Sequence, residues 1–180
     1  MTKILSGFLV GILFTALVAW TQAGNLMFTE TPSPYGLEET AARIQGNMQS
    51  LEGNGWKLSG LRDPSKAIAA AGGNVPPVLL VEACSTAYSK PLLEDDDTRI
   101  LSILMPCTVT VYKKSDGKTY IGTMNSGLMG QLFGAKVASV MNKVAADQKV
   151  FLQFDPDKPA PKLINVQPGG GSGGDDIGGC

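Results

Sequence analysis

The amino-acid sequence opens on a long apolar run that polar positions barely interrupt. Residues 4–20 carry no charged side chain. Extended to residue 23, the run reaches about 20 residues, which is the length a helix needs to cross the hydrocarbon core of a bilayer. Thr21-Gln22-Ala23 also has the small-x-small pattern of a signal-peptide cleavage site. Residues 1–23 are therefore predicted to be one N-terminal transmembrane helix, a signal anchor, with a cleaved signal peptide as the alternative.

The charges on either side of this run orient it. Lys3 precedes the run, and Glu30 is the first charged residue after it. Positively charged flanks stay on the cytoplasmic side. Residues 24–180 are thus predicted to lie on the extracytoplasmic, periplasmic side, anchored to the lipid bilayer through residues 4–23. If the segment is cleaved, the remaining chain is predicted to be periplasmic or secreted, and disulfide bonds are permitted in either location.

Apolar spacing beyond residue 24 predicts both helices and strands. Apolar residues recur every three or four positions from Leu37 to Leu51, which is the spacing of one helical face. The dense apolar run Val78–Val81 is typical of a buried strand. Alternation over Cys107–Tyr112, followed by a second strand at Lys118–Thr123, predicts a β-hairpin that turns at Asp116-Gly117.

Further elements complete an α+β pattern. Two more strands and two short helices are predicted, in chain order, at Leu26–Glu30, Trp56–Leu61, Ser65–Ala71 and Ser85–Leu93. Asn125 is predicted to cap one long helix, containing three glycines, whose apolar stripe runs to Val144. Helices before and after several antiparallel strands predict an α+β domain over residues 24–154, with an antiparallel sheet and helices on one of its faces.

Residues 155–180 are predicted to be a flexible tail rich in proline and glycine. They hold seven glycines and four prolines, and such a composition buries too little apolar surface to fold by itself. One apolar stretch, Leu163–Val166, is predicted to pair with Val150–Phe154 as an arm. The chain ends on Cys180, whose thiol is expected either to cross-link a partner or to be inert.

The composition excludes several classes of function. The chain has no histidine, so histidine-dependent catalytic triads, histidine zinc sites and histidine-ligated haem are excluded within it. Fifteen basic and 16 acidic residues give a net charge of -1 without a basic stripe, so nucleic acid is not an expected partner. The sequence contains no phosphate-binding loop or nucleophile motif. We therefore favour a protein without catalysis of its own.

The middle of the chain resembles the DUF302 family. The resemblance is carried by Val78–Cys84, Met105–Tyr112 and Met124–Met129. It extends over about residues 36–135 and implies a TBP-like α+β fold. The family has Asn-Pro after its first cysteine, where this chain has Ser85-Thr86. Because the family's name records an unknown function, the resemblance implies no reaction.

Two cysteines in the resembling stretch are the centre of the candidate site. Cys84 ends one predicted strand and Cys107 begins another, so the sheet is expected to bring both thiols to one end. Glu82 shares a strand face with Cys84 because side chains alternate along a strand, and Met105 precedes Cys107 closely. These four residues are the ligand-binding or redox candidates. No cofactor is expected apart from copper, for which Cys84, Cys107 and Met124 are the candidate ligands, because thiolate and thioether sulfur suit Cu(I).

The sequence is compatible with three functions. The favoured one is a membrane-tethered extracytoplasmic binding or interaction module whose biochemical role is unknown. The first alternative is a thiol redox or copper-handling protein that uses Cys84 and Cys107 as a redox pair or as metal ligands. For the same two residues, a disulfide bond between them and simple burial in the core are the structural alternatives. The second is a structural subunit of a larger membrane assembly. The partners expected in that case are further copies of the chain or other subunits of a membrane complex.

Overall fold

A computed structural model describes residue 24 and residues 26–166 of the chain. The predicted membrane segment at residues 1–23 and the tail from residue 167 onward lie outside the described residues. Within the described part, no helix combines the length and the apolar character that a membrane span requires.

The described residues form the predicted α+β fold. Its strands are β1 (Phe28–Ser33), β2 (Trp56–Arg62), β3 (Val78–Ser85), β4 (Cys107–Lys113) and β5 (Thr119–Met124). Its α-helices are α1 (Leu37–Ser50), α2 (Pro64–Ala70), α3 (Thr86–Leu93), α4 (Ser126–Gln131) and α5 (Ala135–Phe151), and two 3₁₀ helices span Glu52–Asn54 and Arg99–Leu104. The first strand begins two residues later than the sequence predicted and continues three residues further.

The strands build one antiparallel sheet in the order β1-β5-β4-β3-β2. Val81 lies opposite Val109 across β3 and β4, and Val111 lies opposite Ile121 across β4 and β5. The predicted hairpin of β4 and β5 is confirmed. Its turn uses Gly117, whose φ of 77° lies in the left-handed region that favours glycine.

The core fills the space between the sheet and helices α1 and α5. Ile44 and Met48 of α1 and Phe151 of α5 are at most 1% exposed, and they belong to one apolar cluster with Val81 and Val111 of the sheet. These strand residues alternate with more polar ones, so the sheet presents one apolar surface to the helices. We call this surface the helix face.

Side-chain caps fix where several helices begin. Asn125 Oδ1 accepts a hydrogen bond from Leu128 N at 3.2 Å, which confirms the predicted cap. Ser85 Oγ does the same for Tyr88 N at 3.3 Å at the start of α3. These caps direct the chain from β5 into α4 and from β3 into α3.

The single long helix predicted after Asn125 is wrong, because the structure has two helices there. Gly134, with φ of 90° and ψ of 171°, separates α4 from α5, and no helix accommodates a residue in that conformation. The two helices then pack closely: a Cβ added at Gly130 would lie 2.5 Å from Met141 Cβ. Gly130 therefore allows the contact between α4 and α5.

Residues 155–166, predicted to begin the flexible tail, pack on α1 without regular secondary structure. The buried Gln45 side chain donates to Ile164 O and accepts from Ile164 N, both at 2.8 Å. At the end of the segment, Leu61 N donates to Val166 O at 2.9 Å. The predicted pairing of Leu163–Val166 with Val150–Phe154 is wrong, because Val150 lies within α5 and the segment contacts α1 and β2 instead.

Candidate functional site

A groove of about 900 Å³ crosses the side of the sheet opposite the helix face. Register places alternate residues of four strands on this side, which we call the groove face. The strand residues of the groove face that line the groove are Phe28, Glu30, Glu82, Thr108, Thr110, Tyr112, Gly122 and Met124. The segment Ile103–Cys107, which leads from the second 3₁₀ helix into β4, also borders it. The groove is thus a surface with both polar and apolar parts.

Gly122 keeps the floor of the groove flat. It lies opposite Thr110 in β4 and opposite Glu30 in β1. A Cβ at this position would lie 2.6 Å from Thr110 Cγ2, a distance that forces the threonine to move. Thr110 therefore occupies the space that a side chain on β5 would take.

Glu82 is the buried acidic residue of the groove. Only 6% of the residue is exposed, and the Nε of Arg62 on β2 lies 3.1 Å from the carboxylate. The Arg62 side chain is itself 54% exposed. Burying a carboxylate is unfavourable unless it is paired or hydrogen-bonded, and the half-exposed guanidinium supplies that partner at the edge of the groove.

Gly60 provides the room for the Glu82 carboxylate. The pairing register of β2 and β3 shifts between Leu58 and Gly60, a β-bulge that sets Gly60 opposite Glu82. A Cβ at Gly60 would lie 2.5 Å from Glu82 Oε2. Glycine in a strand often marks a bulge or a close approach, and here it marks both.

Aromatic and charged side chains gather at the other end of the groove. The Tyr112 hydroxyl and the Lys114 ammonium both donate to the Glu30 carboxylate. These hydrogen bonds hold the pKa of Glu30 below its usual value. The pKa of Tyr112 is raised to about 12, mainly by burial and to a smaller extent by the hydrogen bond to Glu30. The Tyr112 and Tyr120 rings are stacked with centroids 6.2 Å apart, so this end of the groove is both aromatic and charged.

An apolar cavity of about 40 Å³ lies at one end of the sheet, where Val137 and Val140 of α5 also line it. Its lining is rich in sulfur and comprises, among others, Cys84, Met105, Cys107, Met124, Met129 and Met141. Leu104, Met105, Cys107 and Met124 also border the groove. Those four residues therefore separate the cavity from the groove.

The two cysteines at this end are in different chemical states. Cys107 has a free thiol, and burial raises its pKa to about 11, so the thiol is protonated near neutral pH. Cys84 is disulfide-bonded. The register pairs Cys107 with Ala83 rather than with Cys84, so the two side chains start from opposite faces of the sheet. Cys107 is consequently not the disulfide partner of Cys84.

The candidate residues predicted from the sequence line either the cavity or the groove. Cys84, Cys107, Met105 and Met124 all line the cavity. Glu82 lines the groove instead, although it is two residues from Cys84 on the same strand face. Within the described ranges, His, Cys, Asp and Glu side chains form no group of three that could hold a metal ion, so methionine sulfur is the remaining donor for a metal at this end.

Helix α5 carries a buried carboxylate that the sequence did not predict. Asp147 accepts hydrogen bonds from Trp56 Nε1 at 2.7 Å, from the Tyr88 hydroxyl at 3.0 Å and from Asn54 Nδ2 at 3.2 Å. The pKa of Tyr88 is raised, mainly by burial and to a smaller extent by the hydrogen bond to Asp147. Its position in the sequence could have indicated burial, because Asp147 lies three positions after Val144 and so falls on the apolar stripe of the helix. Because all of its partners are fixed structural groups, Asp147 joins α5 to β2 and α3.

Comparisons with known proteins agree on the architecture. The family model described as "domain of unknown function DUF302" matches residues 29–153. The crystal structure of an uncharacterized conserved DUF302 protein from Bacillus stearothermophilus superposes with a TM-score of 0.60 at 16% sequence identity, over 71% of this chain and 96% of that one. No curated protein matches the chain at a significant level. At this identity the superposition shows the fold alone.

Proposed function

The chain belongs to the DUF302 family, and since that family's description carries no function, we propose one from the groove: this is a binding module that holds a small amphipathic molecule on the groove face of its sheet. The module is tethered to the membrane through residues 4–23 and lies on the extracytoplasmic side. The proposal assigns no reaction to the groove. The observation that carries it is the buried Glu82 carboxylate on the floor of a groove that is otherwise of mixed polarity.

The size of the groove supports a small-molecule ligand. Ligand pockets commonly have volumes of roughly 300–1,000 Å³, and the groove has about 900 Å³. Apolar side chains, among them Phe28, Met105 and Met124, line it beside the hydroxyls of Thr108 and Thr110. A ligand with one apolar part and one polar head therefore matches the surface.

The hydrogen-bond acceptors on the floor of the groove indicate which polar head group the ligand should carry. A carboxylate offers about four acceptor positions, and Arg62 Nε is the donor that Glu82 has among the described residues. The remaining lone pairs of Glu82 favour a head that carries N–H donors, such as an ammonium group. The hydroxyls of Thr108 and Thr110 can donate or accept, so they suit the same head.

The proposed membrane tether is supported by the amino-acid sequence. Residues 4–20 carry no charge, and the run to residue 23 is long enough to span a bilayer. Gly24 borders the groove, so the groove lies close to the point where the predicted span ends. The proposed ligand thus binds near the membrane surface.

A fluorescent probe tests the proposal. Dansylcadaverine carries a primary ammonium on an apolar aromatic group, and the full chain is held in phosphatidylcholine nanodiscs, with empty nanodiscs subtracted. We expect saturable binding that Glu82→Gln weakens at least fivefold because the charge attraction is lost. Glu52→Gln removes an exposed carboxylate outside the groove and is the matched control. Equal affinity for Glu82→Gln and the wild type, with unchanged circular dichroism, would contradict the proposal.

Copper(I) handling is the second candidate, and the sulfur-rich lining of the cavity favours it. A cavity of about 40 Å³ exceeds the roughly 10–15 Å³ that one water needs but is far below the size of organic ligand pockets. Cys107, Met105 and Met124 would supply one thiolate and two thioethers, a donor set that suits Cu(I). Cys84 would add a second thiolate only after reduction of its disulfide.

Competition with bathocuproine disulfonate under anaerobic conditions tests the copper candidate. Binding should release one proton, because the Cys107 thiol is protonated before the ion enters. We expect Cys107→Ser to abolish Cu(I) binding and Met124→Leu to weaken it. Met27→Leu, a methionine outside the cavity, should leave it unchanged. Failure of the wild type to compete with the chelator would remove this candidate.

A further inference from the structure

We infer that an exposed apolar patch at one end of the domain docks on the phospholipid bilayer and inserts its side chains among the head groups. Nine large apolar side chains of the described residues are exposed, and six of them belong to segments that meet at this end. The six are Leu26, Phe28, Ile100, Ile103, Leu132 and Phe133, and we call them the apolar patch. The inference rests on the membrane tether of the proposed function and is independent of the ligand proposed for the groove.

Three segments carry the apolar patch: the start of the described chain, the second 3₁₀ helix and the junction of α4 with α5. Phe28 and Ile103 both line the groove, together with Met124. Phe133 lines the cavity together with Leu104 and Met124, and the latter two residues also border the groove. The three segments therefore meet at the end of the sheet at which β5 ends.

The segments that meet at this end share an absence of charge. No acidic or basic side chain occurs in residues 24–29, 100–112 and 120–135. Arg99 and Lys136, which directly flank two of these segments, form ion pairs with Asp96 and Asp95. An exposed apolar surface of this kind is typical of a contact with a protein or a membrane. Because the flanking charges are already paired, the contact is expected to be apolar and not to need anionic lipid.

The point at which the chain enters the domain favours a bilayer over a protein partner. Leu26 and Phe28 belong to the apolar patch, and the proposed span at residues 4–23 directly precedes them in the sequence. Asn125 Nδ2 donates to Leu26 O at 3.1 Å, and Asn125 N donates to Met27 O at 2.8 Å. These bonds hold the start of the described chain against the cap of α4. The apolar patch is thereby kept next to the lipid surface, where apolar side chains insert to a depth of about 5–10 Å.

The opposite end of the sheet provides a reference point away from the bilayer. Helix α2 lies there, since Ser65 Oγ accepts from Val78 N at 3.3 Å at the start of β3. Val78 and Ala83 are separated by about 17 Å along β3, and Ala83 lies opposite Cys107 at the end with the apolar patch. Ile68 of α2 is exposed like the residues of the patch but belongs to the far end, so it offers a matched control.

Quenching of tryptophan fluorescence by brominated lipid tests the docking. The full chain carrying Trp20→Phe is reconstituted in phosphatidylcholine nanodiscs whose acyl chains bear bromine near the glycerol backbone. In this background Ile103→Trp and Phe133→Trp, made separately, should each lose at least half of the probe fluorescence relative to unbrominated lipid. Ile68→Trp should keep its fluorescence. The signal of Trp56, which is 1% exposed, is measured in the parent chain and subtracted.

The outcomes separate the docking from the tether. Unquenched probes at Ile103 and Phe133, equal quenching of Ile68→Trp, or quenching that requires phosphatidylglycerol would each overturn the docking. Blue-shifted but unquenched emission from both patch probes would overturn it too, because a second copy of the chain or another protein would then cover the patch. Trp20 of the unsubstituted chain reports on the tether: if Trp20 is not quenched while the patch probes are, the docking stands and the tether is wrong.

Discussion

The two faces of the sheet differ in their exposure, in their polarity and in what covers them. On the helix face, Val81, Val109 and Val111 are at most 1% exposed and meet α1 and α5. On the groove face, the neighbouring residues Glu82 and Thr110 belong to the same strands but line a groove of about 900 Å³. The comparison teaches that stability is concentrated on one side of these strands, which leaves the other side free to be shaped for binding.

The groove face carries features that a purely structural surface does not need. Glu82 is as buried as a core residue, yet its charge is balanced by an arginine that is half in solvent. Gly60 and Gly122 leave room for the Glu82 and Thr110 side chains at some cost to strand stability. Such local conflicts with good strand formation are expected at functional sites.

The strongest test of the comparison places the same charge on adjacent residues of β3. Val81→Asp buries an unpaired carboxylate in the core, and we expect it to lower the free energy of unfolding by about 3–5 kcal/mol. Leu80→Asp sets the carboxylate on the groove face, opposite Arg62 in the register, and should cost about 1 kcal/mol or less. Urea denaturation followed by circular dichroism measures both. Equal losses would show that the two faces are equally buried.

The next largest effect concerns the reactivity of Cys107. With its pKa raised from 9.0 to about 11, the thiolate fraction at pH 8 falls about 100-fold. Iodoacetamide should therefore modify Cys107 about 100-fold more slowly in the folded chain than in the same chain in urea. Because the pKa is raised on folding, the thiol's contribution to stability is present below about pH 9 and is lost as the pH rises to about 11. A rate within threefold of the unfolded rate would contradict the raised pKa of the Cys107 thiol.

Gly60→Ala tests the space reserved for the Glu82 carboxylate. The added methyl group would lie 2.5 Å from Glu82 Oε2, so we expect a loss of about 1–3 kcal/mol and weaker dansylcadaverine binding. Gly53→Ala is the control, since a Cβ there meets no atom within 4 Å. Chemical denaturation of both variants gives the comparison, and an effect of Gly60→Ala no larger than the control's would show that Glu82 can move freely.

The smallest expected effect belongs to the ion pair at the edge of the groove. Arg62→Ala should cost about 1 kcal/mol, because water reaches the half-exposed guanidinium and screens the pair. In the background of Glu82→Gln the same substitution should cost less, which a double-mutant cycle measures. Lys90→Ala, which removes the 3.8 Å ion pair with Glu94 between exposed side chains, is the control and should have no measurable effect. Additive losses for Arg62 and Glu82 would mean that the two residues do not interact.

Part of the candidate site could be predicted from the sequence. The local sequence pattern indicates that strands end near Cys84 and begin at Cys107. In the structure Cys84, Cys107, Met105 and Met124 line one cavity. Arg62, in contrast, is 20 positions away from Glu82, and the bulge at Gly60 depends on the pairing of β2 with β3. Glu82 could therefore be identified from the sequence, but its ion-pair partner and the glycine that accommodates it could not.

The sequence alone determined where most of the helices and strands lie and which strand residues share a face, because spacings of two and 3.6 residues are local properties of the backbone. Tertiary structure decided the rest: that α4 and α5 separate at Gly134, that the segment 155–166 docks on α1, and that Cys107 remains a free thiol beside a disulfide-bonded Cys84. Each of these outcomes depends on strand order, register or contacts between distant residues, which no short stretch of the chain encodes.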